Sequence, residues 1–214
     1  MTMFKWITWA GWSVCLVNFV SVTAWAQDYD KVIEQMQLIR ANQVEYSIAL
    51  EEGKERSMLC GYCHGKDGNS VKPDIPNLAG QNTEYLLKQF QLFATGERQS
   101  YVMQQLARSL NDEEKINMSL YFSSQTVRPQ EGITTSAKGK AKYGSLCVAC
   151  HGADGRGDHE LPRLAGQKKT FLIKTLTNFK KGKAARASSP MVNIMKVVND
   201  DEIEPLADYI ATMP

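Results

Sequence analysis

Cys60-Gly61-Tyr62-Cys63-His64 and Cys147-Val148-Ala149-Cys150-His151 are two copies of one pattern, C-x-x-C-H, set 87 residues apart. This is the attachment pattern of a c-type haem. Two residues between the thiols match the separation of the two vinyl groups on one porphyrin edge, to which the cysteines add as thioethers. The histidine directly after the second cysteine is carried beneath the iron by the same turn. Zinc sites also use C-x-x-C but need a second ligand pair elsewhere. Thioredoxin-like sites place it in a βαβ pattern that this chain does not show.

Working outward, the sequence around each motif repeats. Cys63-His64-Gly65-Lys66-Asp67-Gly68 matches Cys150-His151-Gly152-Ala153-Asp154-Gly155, and Pro76-Asn77-Leu78-Ala79-Gly80-Gln81 matches Pro162-Arg163-Leu164-Ala165-Gly166-Gln167. Phe93 aligns with Phe179, Asn111-Asp112-Glu113-Glu114 with Asn199-Asp200-Asp201-Glu202, and Tyr121 with Tyr209, at offsets of 86 to 88 residues. The chain is therefore a duplicated domain. Each copy has helical periodicity and no alternating strand. A helix precedes each motif (roughly 46–59 and 137–146), a second follows each L-A-G-Q, and a last one opens at Asn111 or Asn199 with acids in its first turn. Gly53 and Gly139 interrupt the first helices, read either as a close crossing with the last helix or as tolerance near a helix start. A repeat of this size buries modest apolar surface, so the haem is expected to supply much of each core.

The N-terminal part of the 214 residues holds Lys5, an apolar stretch from Trp6 to Val22 and Ala24-Trp25-Ala26, the pattern of a cleavable secretory signal, with a retained membrane anchor as the alternative. Cleavage after residue 26 leaves four cysteines, all in the two motifs, and points to the periplasm. The expected organisation is signal peptide 1–26, N-terminal helical extension 27–48, first domain 49–124, linker 125–136 and second domain 137–214. In the extension Tyr29, Val32, Ile33, Met36 and Ile39 follow helical spacing, for packing on one domain or for docking a partner or a membrane surface. Charge is uneven: residues 27–128 carry 11 basic and 14 acidic side chains, residues 129–214 carry 13 and 9. Such a dipole orients a molecule toward a partner.

On both C-x-x-C-H-G motifs, the D-G after each, the paired P-x-L-A-G-Q segments and the paired closing helices, the chain resembles the dihaem cytochrome c4 family over roughly residues 49–213. The resemblance implies an all-α fold of two class I cytochrome c domains, related by a pseudo-twofold axis with their haems facing across the interface, plus an extra N-terminal helix. It also implies two covalently attached haems and electron transport in the periplasm, often toward terminal oxidases.

Electron transfer needs iron held alike in both oxidation states, and a methionine opposite histidine favours Fe(II). Met103 lies seven residues before Leu110 and Met191 seven before Val198, equivalent points ahead of the last helix where the family places its axial methionines. The expected site is Cys60, Cys63, Cys147 and Cys150 as covalent attachments, with His64 and Met103, and His151 and Met191, as axial ligands. Met195 competes with Met191, but its counterpart is Ala107; Met118 and Met58 read as core. His159 reads as a surface residue, a bis-histidine second haem being the alternative. The resemblance implies that Pro76 and Pro162 offer a carbonyl to the proximal histidines; a simple loop breaker is the alternative.

These features describe an electron carrier between redox proteins, a donor and a terminal oxidase or a dehydrogenase, with no catalytic residues. The alternative is a dihaem subunit of a dehydrogenase, such as a flavin-dependent sulfide dehydrogenase. A dihaem peroxidase or thiosulfate oxidase would need an easily opened iron position. Lys168, Lys169, Lys180, Lys181, Lys183 and Arg186 make the second domain locally basic, read as a solvated face or as a surface that steers an acidic partner; no base-stacking motif accompanies them, so nucleic acid is not an expected partner.

Overall fold

The repeated N-D-E-E and N-D-D-E segments start helices because each asparagine caps the turn it opens. In α6 (Asp112–Ser124), Asn111 accepts the Glu114 N–H at 2.8 Å and Glu114 accepts the Asn111 N–H at 2.9 Å. The same reciprocal box, with Glu202 on the Asn199 N–H at 2.8 Å, opens α11 (Asp200–Ala211). Two orphan donors are satisfied at each end, and the acids sit on the positive end of the helix dipole.

The structure is a computed structural model describing residues 20–128, 130–183, 186 and 188–214, with side chains from Tyr29 onward. The expected cleavage point after Ala26 lies outside the residues whose side chains are described. Among the described residues the architecture is helical. Each half is built on one crossing: α2 (Gln43–Arg56) on α6, and α7 (Ala137–Leu146) on α11. Here Gly53 and Gly139 are resolved as close-approach residues. A β-carbon on Gly53 would lie 2.1 Å from the Asn117 carbonyl oxygen, and one on Gly139 1.9 Å from that of Pro205.

The attachment motifs occupy single turns, α3 (Gly61–His64) and α8 (Val148–His151). After the L-A-G-Q loops come α4 (Thr83–Thr95) and α9 (Lys169–Lys180), which bury Leu86, Leu87 and Phe93, and Leu172, Leu176 and Phe179. Two further helices, α5 (Tyr101–Ser109) and α10 (Met191–Met195), precede the closing helices. α2 begins three residues before the expected start because Asn42 caps it, accepting from the Val44 and Glu45 N–H groups.

α1 (Val20–Ala41) is the extra helix. It lays Met36, fully buried, with Tyr29, Val32, Ile33 and Ile39 against Ala49, Leu87, Ile116 and Leu120 of the first half. Arg40 donates to Thr83 at 2.7 Å and pairs with Glu84. Its apolar stripe is thus covered by protein.

The halves meet through equivalent loops in a crossed pattern. Gln167 takes the Asn77 N–H on Oε1 at 2.7 Å and returns an Nε2–H to the Asn77 carbonyl at 3.0 Å. Gln81 does the same to Arg163, at 2.7 and 3.0 Å. Residue i of one copy grips residue j of the other, and j's counterpart is gripped by i's, which is the signature of a twofold relation. Val127, just after α6, wedges between the loops. A β-carbon on Gly80 would lie 2.9 Å from one of its methyls, and one on Gly166 2.6 Å from the other.

Candidate haem-binding site

In α3 the His64 N–H donates to the Cys60 carbonyl at 2.8 Å, and in α8 the His151 N–H donates to that of Cys147 at 2.9 Å. One helical turn therefore sets both thiols and the imidazole of each motif, as the spacing requires. The rings are buried, 9% exposed for His64 and 6% for His151.

Each ring is held from behind. His64 Nδ1 lies 2.9 Å from the Pro76 carbonyl and His151 Nδ1 3.0 Å from that of Pro162. A carbonyl only accepts, so each Nδ1 carries the proton and each Nε2 keeps its lone pair. Burial lowers both histidine pKa values, outweighing the opposing pull of the carbonyl, so both rings are neutral near pH 7. A neutral imidazole with one nitrogen anchored is the state a metal ligand needs. Burial also pushes the Cys60 thiol up and the Cys147 thiol, with Cys150 adding to it, to about 11.

Met103 is the third residue of α5 and Met191 the first of α10; both are half-buried. Met195 is fully buried among Tyr143, Leu176 and Val198, and its counterpart Ala107 is fully buried too. Met118 is core as expected. Met58 is not: it is 75% exposed, because the 3-10 turn Ser57–Leu59 that ends α2 rotates it away from the core. His159 is exposed, on a loop with φ 49°.

Three residues meet at the seam between the halves: Arg186, which the sequence placed in a basic run, and Tyr85 and Arg98, to which it assigned no role. Arg186 donates to the Tyr85 hydroxyl at 2.9 Å and stacks over Phe179, while Arg98 stacks over the equivalent Phe93 and donates to Gln89 at 2.6 Å. Burial would raise the Tyr85 hydroxyl, but the facing guanidiniums of Arg186 and Arg98 pull it below the usual phenol range. Burial draws Arg98 down to about 10. Among the described residues neither arginine has a carboxylate within ion-pair distance. The repeat held the signal, since each arginine lies five residues before Met103 or Met191.

The donor set fits haem: paired thiols, a free imidazole nitrogen in each half, and unneutralised cations suited to a group that carries carboxylates. Two such all-α units define a tandem of class I cytochrome c domains. The cytochrome c family model matches residues 136–214. Cytochrome c4 of Pseudomonas aeruginosa is 32% identical over 171 residues, 74% of this chain and 85% of that protein. The thiosulfate dehydrogenase electron acceptor of Stutzerimonas stutzeri is 30% identical, covering 73% and 80%. The crystal structure of reduced recombinant cytochrome c4 from Pseudomonas stutzeri superposes with a TM-score of 0.68 at 30% identity, covering 77% of this chain and 98% of that one. The chain belongs to the cytochrome c4 family: it is a dihaem electron-transfer cytochrome with covalently bound c-type haem that works with redox partners. No helix among the described residues is long and apolar enough to cross a membrane.

Proposed function

We propose that Cys60 and Cys63 hold one haem and Cys147 and Cys150 the other, with His64 and Met103, and His151 and Met191, as the axial ligands. Iron bound there supplies a reversible one-electron couple. The observation that carries this reading is the carbonyl-anchored, neutral histidine in both halves, each leaving Nε2 free. The two prolines fix ring orientation and tautomer. The methionines close the sixth position against substrates and favour the reduced state. Arg98 and Arg186 balance the carboxylates that the haems bring.

In this reading residues 1–26 direct export and are removed. Domains of 49–124 and 137–214, joined by 125–136, then mature in the periplasm. Electrons leave toward a terminal oxidase. Likeness to a thiosulfate dehydrogenase electron acceptor favours a second statement, that a dehydrogenase supplies them. The test is the mature holoprotein and its separate Met103→Ala and Met191→Ala variants. The wild type should hold two low-spin haems that do not bind carbon monoxide. Each variant should lose the sulfur-to-iron charge-transfer band of one haem and bind carbon monoxide there. Unaltered spectra and potentials in both variants would overturn the ligand assignment.

A further inference from the structure

The crossed glutamines do more than join the halves. The N–H that Gln167 accepts belongs to Asn77, and the carbonyl on the other end of that same peptide group is Pro76's, the acceptor for His64. One planar unit thus links Gln167 Oε1, at 2.7 Å on its N–H, to His64 Nδ1, at 2.9 Å on its oxygen. In the other direction Gln81 Oε1 takes the Arg163 N–H at 2.7 Å, and the Pro162 carbonyl of that peptide accepts from His151 at 3.0 Å. Each side-chain oxygen also accepts from the next residue of its own chain segment, Asn82 N–H at 3.0 Å or Lys168 N–H at 2.9 Å. Both lone pairs are used, and both glutamines are buried, 5% and 7% exposed. Neither amide is free to turn away.

A peptide's N–H and C=O are coupled by resonance. An acceptor on the N–H pushes electron density toward the oxygen, and linked hydrogen bonds strengthen one another by roughly 10–30% per bond. A stronger carbonyl acceptor draws the Nδ1 proton further and makes the imidazole a better donor at Nε2, which favours Fe(III).

We propose that Gln167 tunes the iron site of the first half and Gln81 that of the second, each acting across the interface through the peptide that anchors the other half's histidine. They are positioning residues. The proposal rests on the haem-ligand reading of His64 and His151.

The test uses mature holoprotein carrying Gln81→Met, Gln81→Glu or Gln167→Met. The two potentials are measured by spectroelectrochemistry and assigned to halves by haem-methyl NMR. Gln81→Met removes the acceptor and should raise the potential of the His151 haem by roughly a threefold change in its reduction equilibrium, about 28 mV at ~59 mV per decade for one electron. The His64 haem should move by less than half of that. Gln167→Met should give the mirror result. Gln81→Glu keeps an acceptor, now charged, and should lower the potential of the His151 haem. The His151 Nδ1 proton should move upfield in Gln81→Met, as its hydrogen bond weakens, and downfield in Gln81→Glu.

A merely structural role would loosen the interface in both Gln81 variants. Shifts of the same sign in the two would therefore overturn the proposal, as would shifts confined to the glutamine's own half, equal shifts in both haems, or no shift. Haem content separates the readings: chains without haem sink the haem assignment, whereas two haems with unmoved potentials sink only the cross-tuning.

Discussion

Replacing Gly139 with alanine tests the helix crossing on which the second half is built. The added methyl would sit 1.9 Å from the Pro205 oxygen, 2.6 Å from its carbon and 3.0 Å from Tyr209 Cβ. Two of these are backbone atoms of α11, so no side chain can swing clear. α11 must withdraw by about 1 Å before the contact reaches even a tight 3.0 Å. Overpacking costs about 1–3 kcal/mol, and a backbone obstacle places this case near the upper end. The gain from alanine's helix propensity offsets about 1 kcal/mol, leaving a net loss of about 2 kcal/mol. For a chain of this size that is a fall of about 4–8 °C in Tm. Gly144, on the same helix, is the control: nothing lies within 4 Å of a β-carbon there, so Gly144→Ala should gain about 0.5–1 kcal/mol. Thermal unfolding of the holoproteins, followed by helical circular dichroism and Soret absorption, measures both. If Gly139→Ala is as stable as the wild type, or the two variants move together, the crossing is not as close as described.

Met36→Ala empties a fully buried position between α1 and the first half and should cost about 2–5 kcal/mol; a loss below ~1 kcal/mol in denaturant titration would show that α1 is not part of that core. Arg56→Gln addresses pH dependence. The hydrogen bond from Arg56, helped by the Asn111 N–H, holds the Glu114 carboxyl below its ordinary range. A carboxyl depressed in the folded state contributes stability above its unfolded pKa of about 4.3 and loses it as pH falls through the folded value. The gap in urea midpoint between wild type and Arg56→Gln should thus be present at pH 7 and close toward pH 3. An equal gap at both pH values would refute the assignment.

Features written in short-range chemistry were legible beforehand. The attachment turns, the Asn111 and Asn199 caps and the bounds of α7 follow from residues within four positions of one another. The role of Gly53 and Gly139 stayed open because it depends on what crosses them. α5 and α10 were missed because they are short and follow Gly96 or Pro190, so neither offers a long periodic window. Met58 misled because helical spacing says which face a residue shares only while the helix stays α, and a 3-10 turn changes the angle. Gln81 and Gln167 stood in view as part of a repeat. Their partners lie 82 and 90 residues away, and only the way the halves face each other brings them together. The same is true of Arg186 and Tyr85.

Val127 gives the join between the copies an unusual status. A duplicated gene can commonly be severed at its tether and each product made alone. Here one side chain offers a methyl to each half, at Gly80 and at Gly166, so the tether is a shared keystone. Cutting beside it would strip packing from both products at once.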